Sequence, residues 1–147
     1  MKIRKAKLKD IKKITGLLSS LFTLEKEFCF NKKLQKKALK KIIKNKNIGT
    51  IFVVKKNKKT IGCVNILYTI STALGSKVAL LEDMVIAQKY RGKHLGTKLL
   101  QHTIRYLKQQ KIKRITLLTD DDNFKAHKFY KKLGFKFSSM VIFRKGI

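Results

Sequence analysis

The sequence contains no proline or tryptophan and very few acidic residues. Only 8 Asp and Glu stand against 37 Lys and Arg in 147 residues, a formal net charge of +29. Such an excess favours contact with nucleic acid, an anionic membrane or a phosphorylated ligand. The cations are spread along the whole chain, however, and Lys, Ile, Asn and Phe are abundant throughout. A general compositional bias therefore explains the charge as well as a nucleic-acid site does.

Cysteine, histidine and long apolar runs are also scarce, and each shortage narrows the class of protein. Cys29 and Cys63 are isolated thiols without metal-ligand spacing, and the three histidines are scattered. We therefore expect a cytoplasmic protein with reduced thiols and no structural metal. No run of about 18 apolar residues occurs, so no transmembrane helix is predicted. The first 13 residues lack the apolar core of a secretory signal.

The spacing of apolar residues predicts an α/β fold, and the length fits a single domain over residues 1–147. Strands are predicted at residues 2–6, 50–54, 60–70, 78–86, 112–119 and 135–144, and helices at about 10–22, 33–44, 95–110 and 124–133. A strand meander followed by a βαβ crossover implies a mixed, mostly antiparallel central sheet with helices on both faces. The last strand would be an exposed edge, compatible with a monomer or a homodimer.

Residues 80–96 form the most informative stretch of the chain. They indicate a buried strand, a short turn, a Gly-containing loop and the start of an amphipathic helix. Free N–H groups and the helix dipole make such a helix start an anion site. Arg91 and Lys93 add two cations, and Gly92 and Gly96 allow close approach of the backbone. A phosphate-bearing ligand is therefore expected at this loop.

Two segments resemble motifs of the GCN5-related N-acetyltransferase (GNAT) superfamily, in its bacterial single-domain form. Residues 85–96, V-I-A-Q-K-Y-R-G-K-H-L-G, are similar to the acetyl-CoA motif, a strand followed by [RQ]-x-x-G-x-[GA] at the start of a helix. Residues 123–135, N-F-K-A-H-K-F-Y-K-K-L-G-F, are similar to the segment N-x-x-A-x-x-F-Y-x-x-x-G-F. The two motifs occur in the family's order and on the predicted elements.

The resemblance implies an N-acetyltransferase that uses acetyl-CoA as co-substrate and needs no metal. The coenzyme's pyrophosphate would lie on the backbone amides of Arg91, Gly92, Lys93, His94, Leu95, Gly96 and Thr97. A strand end splayed by a β-bulge, Met84, Val85 and Ile86, would pair with the pantetheine arm. Asn123, Ala126, Phe129 and Tyr130 would form the second wall. In one departure, His94 occupies the place of the motif's middle glycine, so its side chain is expected to point away from the phosphates.

Amide formation from a thioester requires a base and an acid. An alkylamine with a pKa of about 10.4 must lose a proton before it attacks, and a thiolate leaves more readily if it is protonated. The resemblance assigns the acid to the Tyr130 hydroxyl, although spacing alone would make Tyr130 a packing residue. Glu82 or Asp83 is the expected base. Adjacent strand residues face opposite ways, and Asp83, placed just before the expected bulge, is preferred.

The clustered acids suggest the kind of acceptor. Glu25, Glu27 and Phe28 lie in the loop after the first helix, which borders the acceptor site in the family, and Asp83 would lie beside them. Acids around one mouth favour a cationic amine such as a polyamine, an aminoglycoside or a protein lysine or N-terminus. Helix capping explains residues 120–122 equally well. The alternatives are an anionic amine (an amino sugar phosphate or aminoalkyl phosphonate), an acyl-CoA-binding regulator, or a nucleic-acid- or ribosome-associated protein without turnover.

Overall fold

The computed structural model describes residues 1–23 and 29–147. Within these ranges five strands form one sheet and four helices pack against it. The strands are β1 (Lys2–Lys5), β2 (Gly49–Lys56), β3 (Lys59–Ser71), β4 (Ser76–Ile86) and β5 (Ile115–Leu117). The helices are α1 (Ile11–Phe22), α2 (Lys32–Lys44), α3 (Leu95–Gln109) and α4 (Phe124–Lys131). Two short 3-10 turns, Leu8–Asp10 and Gln88–Tyr90, precede α1 and the loop before α3.

The sheet has the order β1-β2-β3-β4-β5, and only the β4–β5 pair is parallel. The mixed, mostly antiparallel sheet predicted from the sequence is therefore confirmed. The β2–β3 hairpin turns at Asn57 and Lys58, whose φ angles are 46° and 62°. Two consecutive positive φ angles define the tight turn whose twist matches that of paired strands.

The two faces of the sheet carry separate hydrophobic cores. On one face, α1 and α2 cover the core residues Ile14, Leu17, Leu18, Leu39, Ile42, Ile51, Val53, Cys63 and Val85. On the other face, α3 and α4 cover Phe52, Val54, Ile61, Val64, Ile66, Ala79, Leu81 and Ile86. The expectation of helices on both faces is thus confirmed. In the described ranges, no helix combines the length and apolarity needed to cross a membrane.

A buried ion pair holds β1 against the start of α1. Asp10 is 2% exposed and accepts hydrogen bonds from both terminal guanidinium nitrogens of Arg4, at 2.7 and 2.9 Å, and from the Lys7 N–H at 2.8 Å. Burial alone would raise the pKa of Asp10, but these bonds outweigh it and hold the pKa below its ordinary value. This acid therefore has a structural task away from the predicted acceptor mouth.

The strand predicted over residues 135–144 is wrong. Residues 132–147 contain no strand, and β5, the neighbour it would need, has three residues instead of the eight predicted. Val141 and Phe143, which the pattern assigned to a strand, are 78% and 91% exposed. Strand propensity measures how well a side chain fits a paired, half-buried surface, and here no neighbouring backbone supplies that surface.

Candidate active site

The sheet opens between β4 and β5. The two strands pair only where Ala79–Leu81 meets Ile115–Leu117. Beyond Leu81, β4 continues to Ile86 with no strand beside it on this edge among the described residues. The backbone N–H and C=O groups on this edge are therefore available to an extended ligand that adds to β4 as a strand would. We call this gap the β4–β5 opening.

A β-bulge lies at the start of this opening. Ile66 pairs with Leu81 and Asn65 with Asp83, which leaves Glu82 as the extra residue. The bulge was expected at Met84–Ile86, and this placement is wrong, because these three residues pair in regular register with Val64–Gly62. Asp83 therefore follows the bulge. A bulge bends its strand, which explains why β4 diverges from β5 at this point.

The loop before α3 presents a run of free N–H groups. Within the described chain, none of the backbone N–H groups from Gly92 to Thr97 donates to a protein acceptor. The first bond of α3 runs from the Lys98 N–H to the His94 carbonyl, at 3.0 Å. Unpaired donors at a helix start are suited to bind phosphate. The loop therefore has the donors that the sequence prediction requires, although binding itself stays a prediction.

His94 keeps the backbone path of the glycine that it replaces. Its φ of 54° lies in the left-handed region, which glycine adopts easily and other residues adopt at a cost. The residue is exposed and forms the N-cap of α3 without a side-chain hydrogen bond to the helix. The amide of His94 can therefore belong to the anion loop without its imidazole entering the loop.

Contacts tie the predicted coenzyme residues to one another. A Cβ built on Gly96 would lie 3.5 Å from Met84 Cε and 3.5 Å from the Phe129 ring. The Arg91 Nε donates to the Ile86 carbonyl at 2.9 Å, so this arginine links the anion loop to the end of β4. The start of α3, the end of β4 and α4 consequently converge at one place.

Asn123 and Ala126 help to begin α4. The Asn123 side-chain oxygen accepts a hydrogen bond from the Ala126 N–H at 3.1 Å, which satisfies one of the free donors at the helix start. The Asp120 carbonyl accepts the Asn123 N–H at 3.1 Å and lies 2.9 Å from His127 Nε2. The backbone of this acidic turn thus organises the entry to α4, as the capping interpretation expects.

Tyr130 is partly buried beside the coenzyme residues. Its ring packs edge-on against Phe129 and Phe135, with ring centres 5.1 and 5.7 Å apart. Burial raises the pKa of the Tyr130 hydroxyl to about 12. Among the described residues this hydroxyl makes no hydrogen bond. The residue is thus a packing aromatic that also carries an available, fully protonated hydroxyl.

Asp83 is bonded to a residue that the sequence analysis missed. Asn65 Nδ2 donates to Asp83 Oδ2 at 3.1 Å. Burial raises the pKa of Asp83 to about 6, with the Asn65 bond opposing and the nearby Glu82 adding to the shift. Asn65 itself is 6% exposed, and its Oδ1 has no hydrogen-bond partner in the described chain. A lone amide in the apolar run I-G-C-V-N-I-L was the available clue.

Asp83 and Tyr130 approach the site from opposite faces of the sheet. Asp83 raises the pKa of the buried Cys63, which belongs to the core under α1 and α2. Tyr130 packs on the core under α3 and α4. A single substrate can therefore contact both side chains only through the β4–β5 opening.

The remaining predicted residues are not all brought together. Glu82 is exposed at the bulge, so of the two adjacent acids Asp83 is the one largely removed from solvent. Glu25, Glu27 and Phe28 lie outside the described residues. In the described part of the chain, no group of three or more His, Cys, Asp or Glu is placed to hold a metal ion.

Comparison with known proteins establishes the family. Residues 17–135 match the model of the acetyltransferase (GNAT) family. The chain belongs to this family, whose members are acyltransferases, and the resemblance drawn from the two motifs is confirmed.

Individual relatives agree with this assignment. N-alpha-acetyltransferase 30 of Schizosaccharomyces pombe is 35% identical over 86 residues, which are 57% of this chain and 55% of that protein. The chain thus matches about half the length of this relative. A solved structure described as a transcriptional regulator from Bacillus halodurans is 26% identical, with a TM-score of 0.85 over 99% of both chains. An aminoglycoside N-acetyltransferase in complex with CoA shares the fold, with a TM-score of 0.84 at 18% identity over 99% of this chain and 93% of that one.

The left-handed backbone at His94 leads to the first prediction. We expect His94→Gly to raise the free energy of unfolding by about 0.5–1 kcal/mol, since glycine adopts this φ without the Cβ penalty. Coenzyme A should bind at least as tightly, because only the amide is used. Urea denaturation and calorimetric titration measure the two quantities.

Lys111→Gly is the matched control, because Lys111 follows α3 with a φ of 57°. It should give a similar gain in stability and leave coenzyme A affinity unchanged. Weaker coenzyme A binding by His94→Gly alone would show that the imidazole contacts the ligand and that the amide-only interpretation is wrong.

The raised pKa of Asp83 leads to a stability prediction. Its pKa is about 6 in the folded state against a model value of 3.8, so the folded protein resists ionisation of this group. Wild-type stability should therefore fall as the pH rises from about 4 through about 6, by up to about 3 kcal/mol. Asp83→Asn should be more stable than wild type at pH 8, and the difference should shrink toward pH 4.

Urea denaturation across this pH range tests the linkage. Glu82→Gln serves as the control, because Glu82 is exposed and should leave the pH dependence unchanged. A stability difference between Asp83→Asn and wild type that stays constant from pH 4 to pH 8 would contradict the shifted pKa.

Proposed function

We propose that this protein transfers the acetyl group of acetyl-CoA directly to a primary amine, with the reacting groups meeting in the β4–β5 opening. The observation that carries the proposal is the continuity of the site. The free N–H groups of Gly92–Thr97 lead directly to the unpaired edge of β4, and Gly96 lies between Met84 and Phe129. A molecule with a phosphate end, an amide-containing arm and a reactive tip fits this sequence of donors.

The residues present fit coenzyme A, which would supply the thioester. The loop Arg91–Thr97 would hold the pyrophosphate through its amides, and Met84–Ile86 would pair with the pantetheine arm. Arg91 keeps the loop in place through its bond to Ile86, while its remaining guanidinium N–H groups can face the phosphates. Asn123, Ala126 and Phe129 would close the other side of the opening.

Asp83 would act as the base that prepares the amine. Above its pKa of about 6 the side chain is a carboxylate and can accept a proton from an ammonium group, directly or through a water molecule. Asn65 holds the carboxylate through Nδ2, and its unpaired Oδ1 can accept an N–H of the amine. An unsatisfied buried acceptor is costly, so a ligand donor at this position would gain affinity.

Tyr130 would assist the departing sulfur. With a pKa of about 12, the hydroxyl holds its proton more tightly than a free thiol with a pKa of about 8.5. Complete proton transfer to the thiolate would therefore be uphill by about 5 kcal/mol. We infer that Tyr130 stabilises the leaving sulfur mainly by donating a hydrogen bond, a narrower role than the proton donor that the sequence resemblance implied.

A cationic amine is the acceptor class that the charges favour. Asp83 and Glu82 are the acids at the opening, and Asp83 is ionised at neutral pH. The named relatives include an N-alpha-acetyltransferase and an aminoglycoside acetyltransferase, whose names denote amines that are cationic at neutral pH. Peptide N-termini, protein lysines, polyamines and aminoglycosides are therefore the first acceptors to test. Anionic amines, such as amino sugar phosphates and aminoalkyl phosphonates, form the contrasting set.

Thiol release from acetyl-CoA in the presence of these amines measures the reaction. We expect release with at least one cationic amine, and a decrease in kcat of about 100-fold in Tyr130→Phe, because the sulfur loses its hydrogen-bond donor. Phe135→Leu is a control that changes the packing around Tyr130 but keeps the hydroxyl. An unchanged kcat in Tyr130→Phe would contradict the role of the hydroxyl, and turnover of anionic amines alone would contradict the acceptor class.

The net charge of +29 supports a second candidate, a nucleic-acid-associated member of the family without turnover. Such a protein would bind RNA with an affinity that falls steeply with salt, and it would release no thiol with any amine. Thiol release in nuclease-treated protein separates the two candidates.

A further inference from the structure

The chain ends in an apolar segment that covers nothing in its own molecule. Residues 138–147, which we call the C-terminal segment, include Met140, Val141, Ile142 and Phe143, exposed by 86, 78, 56 and 91%. Exposed apolar residues in a contiguous run mark an interaction surface, whereas single ones are ordinary. The four residues are strand-forming or flexible apolar types, without an intervening charge.

The segment leaves the domain from a fixed point. Phe135 packs against Tyr130, and Phe137 lies 5.2 Å from the His127 ring with the Lys131 ammonium 4.3 Å above it. The Phe135 N–H also donates to the Tyr130 carbonyl at 3.2 Å. Residues 135–137 are therefore held against α4, and the chain departs from the domain at Ser138 and Ser139.

The same molecule has an open sheet edge. β5 is the last strand of the sheet, so its outer edge has no strand partner in the described chain. Leu118, which follows β5, is 42% exposed. Free edges are normally short, charged, bulged or covered, because they otherwise pair with another chain. The apolar residues around β5 give this edge little protection beyond its shortness.

We propose that the C-terminal segment of one copy adds a strand to β5 of a second copy, and that the second copy does the same in return. Each copy contributes one unpaired segment and one open edge, so a two-fold arrangement satisfies both without any other partner. Large apolar side chains present about 150–250 Å² each, so covering the four would bury on the order of 600 Å² per chain. With the β5 edge added, this approaches the roughly 800 Å² per partner of a stable interface.

The charge of the protein determines how this dimer responds to salt. Two chains of +29 repel each other at low ionic strength. Screening shortens the range of that repulsion from about 30 Å at 0.01 M salt to about 3 Å at 1 M. The dimer should consequently become more stable as salt is added, which is the opposite of nucleic-acid binding.

Sedimentation equilibrium of nuclease-treated protein tests the association. At about 0.5 M salt, where screening is nearly complete, wild type should approach twice the chain mass of 17.0 kDa. Val141→Pro removes a donor needed for pairing and Phe143→Ser removes apolar area. Each should weaken the dimer at least 10-fold and leave monomer stability unchanged, because both residues are exposed outside any helix or strand. Leu34→Ser, at a residue 58% exposed on α2, should leave association unchanged.

Hydrogen exchange identifies the segment's partner. Amides of residues 139–145 and of β5 should become protected together as the protein concentration rises, and the Val141→Pro variant should lose both effects. Wild type that stays monomeric at every salt and protein concentration would overturn the proposal. Protection of the segment in dilute monomer, which would show pairing with its own β5, or a dimer unaffected by both variants would also overturn it.

Discussion

The early end of pairing between β4 and β5 is the constraint on which the site depends. β4 has eleven residues and β5 has three, so most of the β4 edge beyond Leu81 is left without a strand. A backbone edge that would normally be a liability becomes a binding surface for an extended, amide-containing molecule. The bulge at Glu82 produces the divergence, and the anion loop at the start of α3 lies at the end of the same edge. Binding and opening are therefore two consequences of one break in the sheet.

The opening also explains how residues from the two cores can act on one substrate. A continuous sheet would separate Asp83, under α1 and α2, from Tyr130, under α3 and α4. Because the strands diverge, a reactive tip held between them is accessible from both sides. The two side chains have matching electrostatic properties: burial keeps the tyrosine protonated, while Asp83 still ionises below neutral pH. One group is thus a donor and the other an acceptor at the same pH.

Sequence reasoning was most successful where the structure is set by local periodicity and short motifs. The four helices, the β2–β3 turn and the mixed sheet follow from apolar spacing and turn residues. The anion loop follows from its glycines and the start of α3, and even His94 takes the backbone conformation of the glycine that it replaces. These features depend on neighbours in the sequence, which are visible without a structure.

The features that the sequence did not reveal depend on pairing between distant strands. The position of the bulge is set by the register of β3 against β4, which places Asn65 opposite Asp83 and leaves Glu82 unpaired. Asn65 became a candidate only when this register brought it to the carboxylate. The strand predicted over residues 135–144 failed for the same reason, because strand propensity cannot show whether a partner strand is present.

The most direct test of the central idea is a backbone NMR titration with coenzyme A. The amides of Gly92–Thr97 and of Met84–Ile86 should shift together at one affinity, because both line one continuous site. The amides of α2, on the outer side of the other core, should not move. Saturable binding that leaves the loop and the β4 edge unshifted would contradict the site described here.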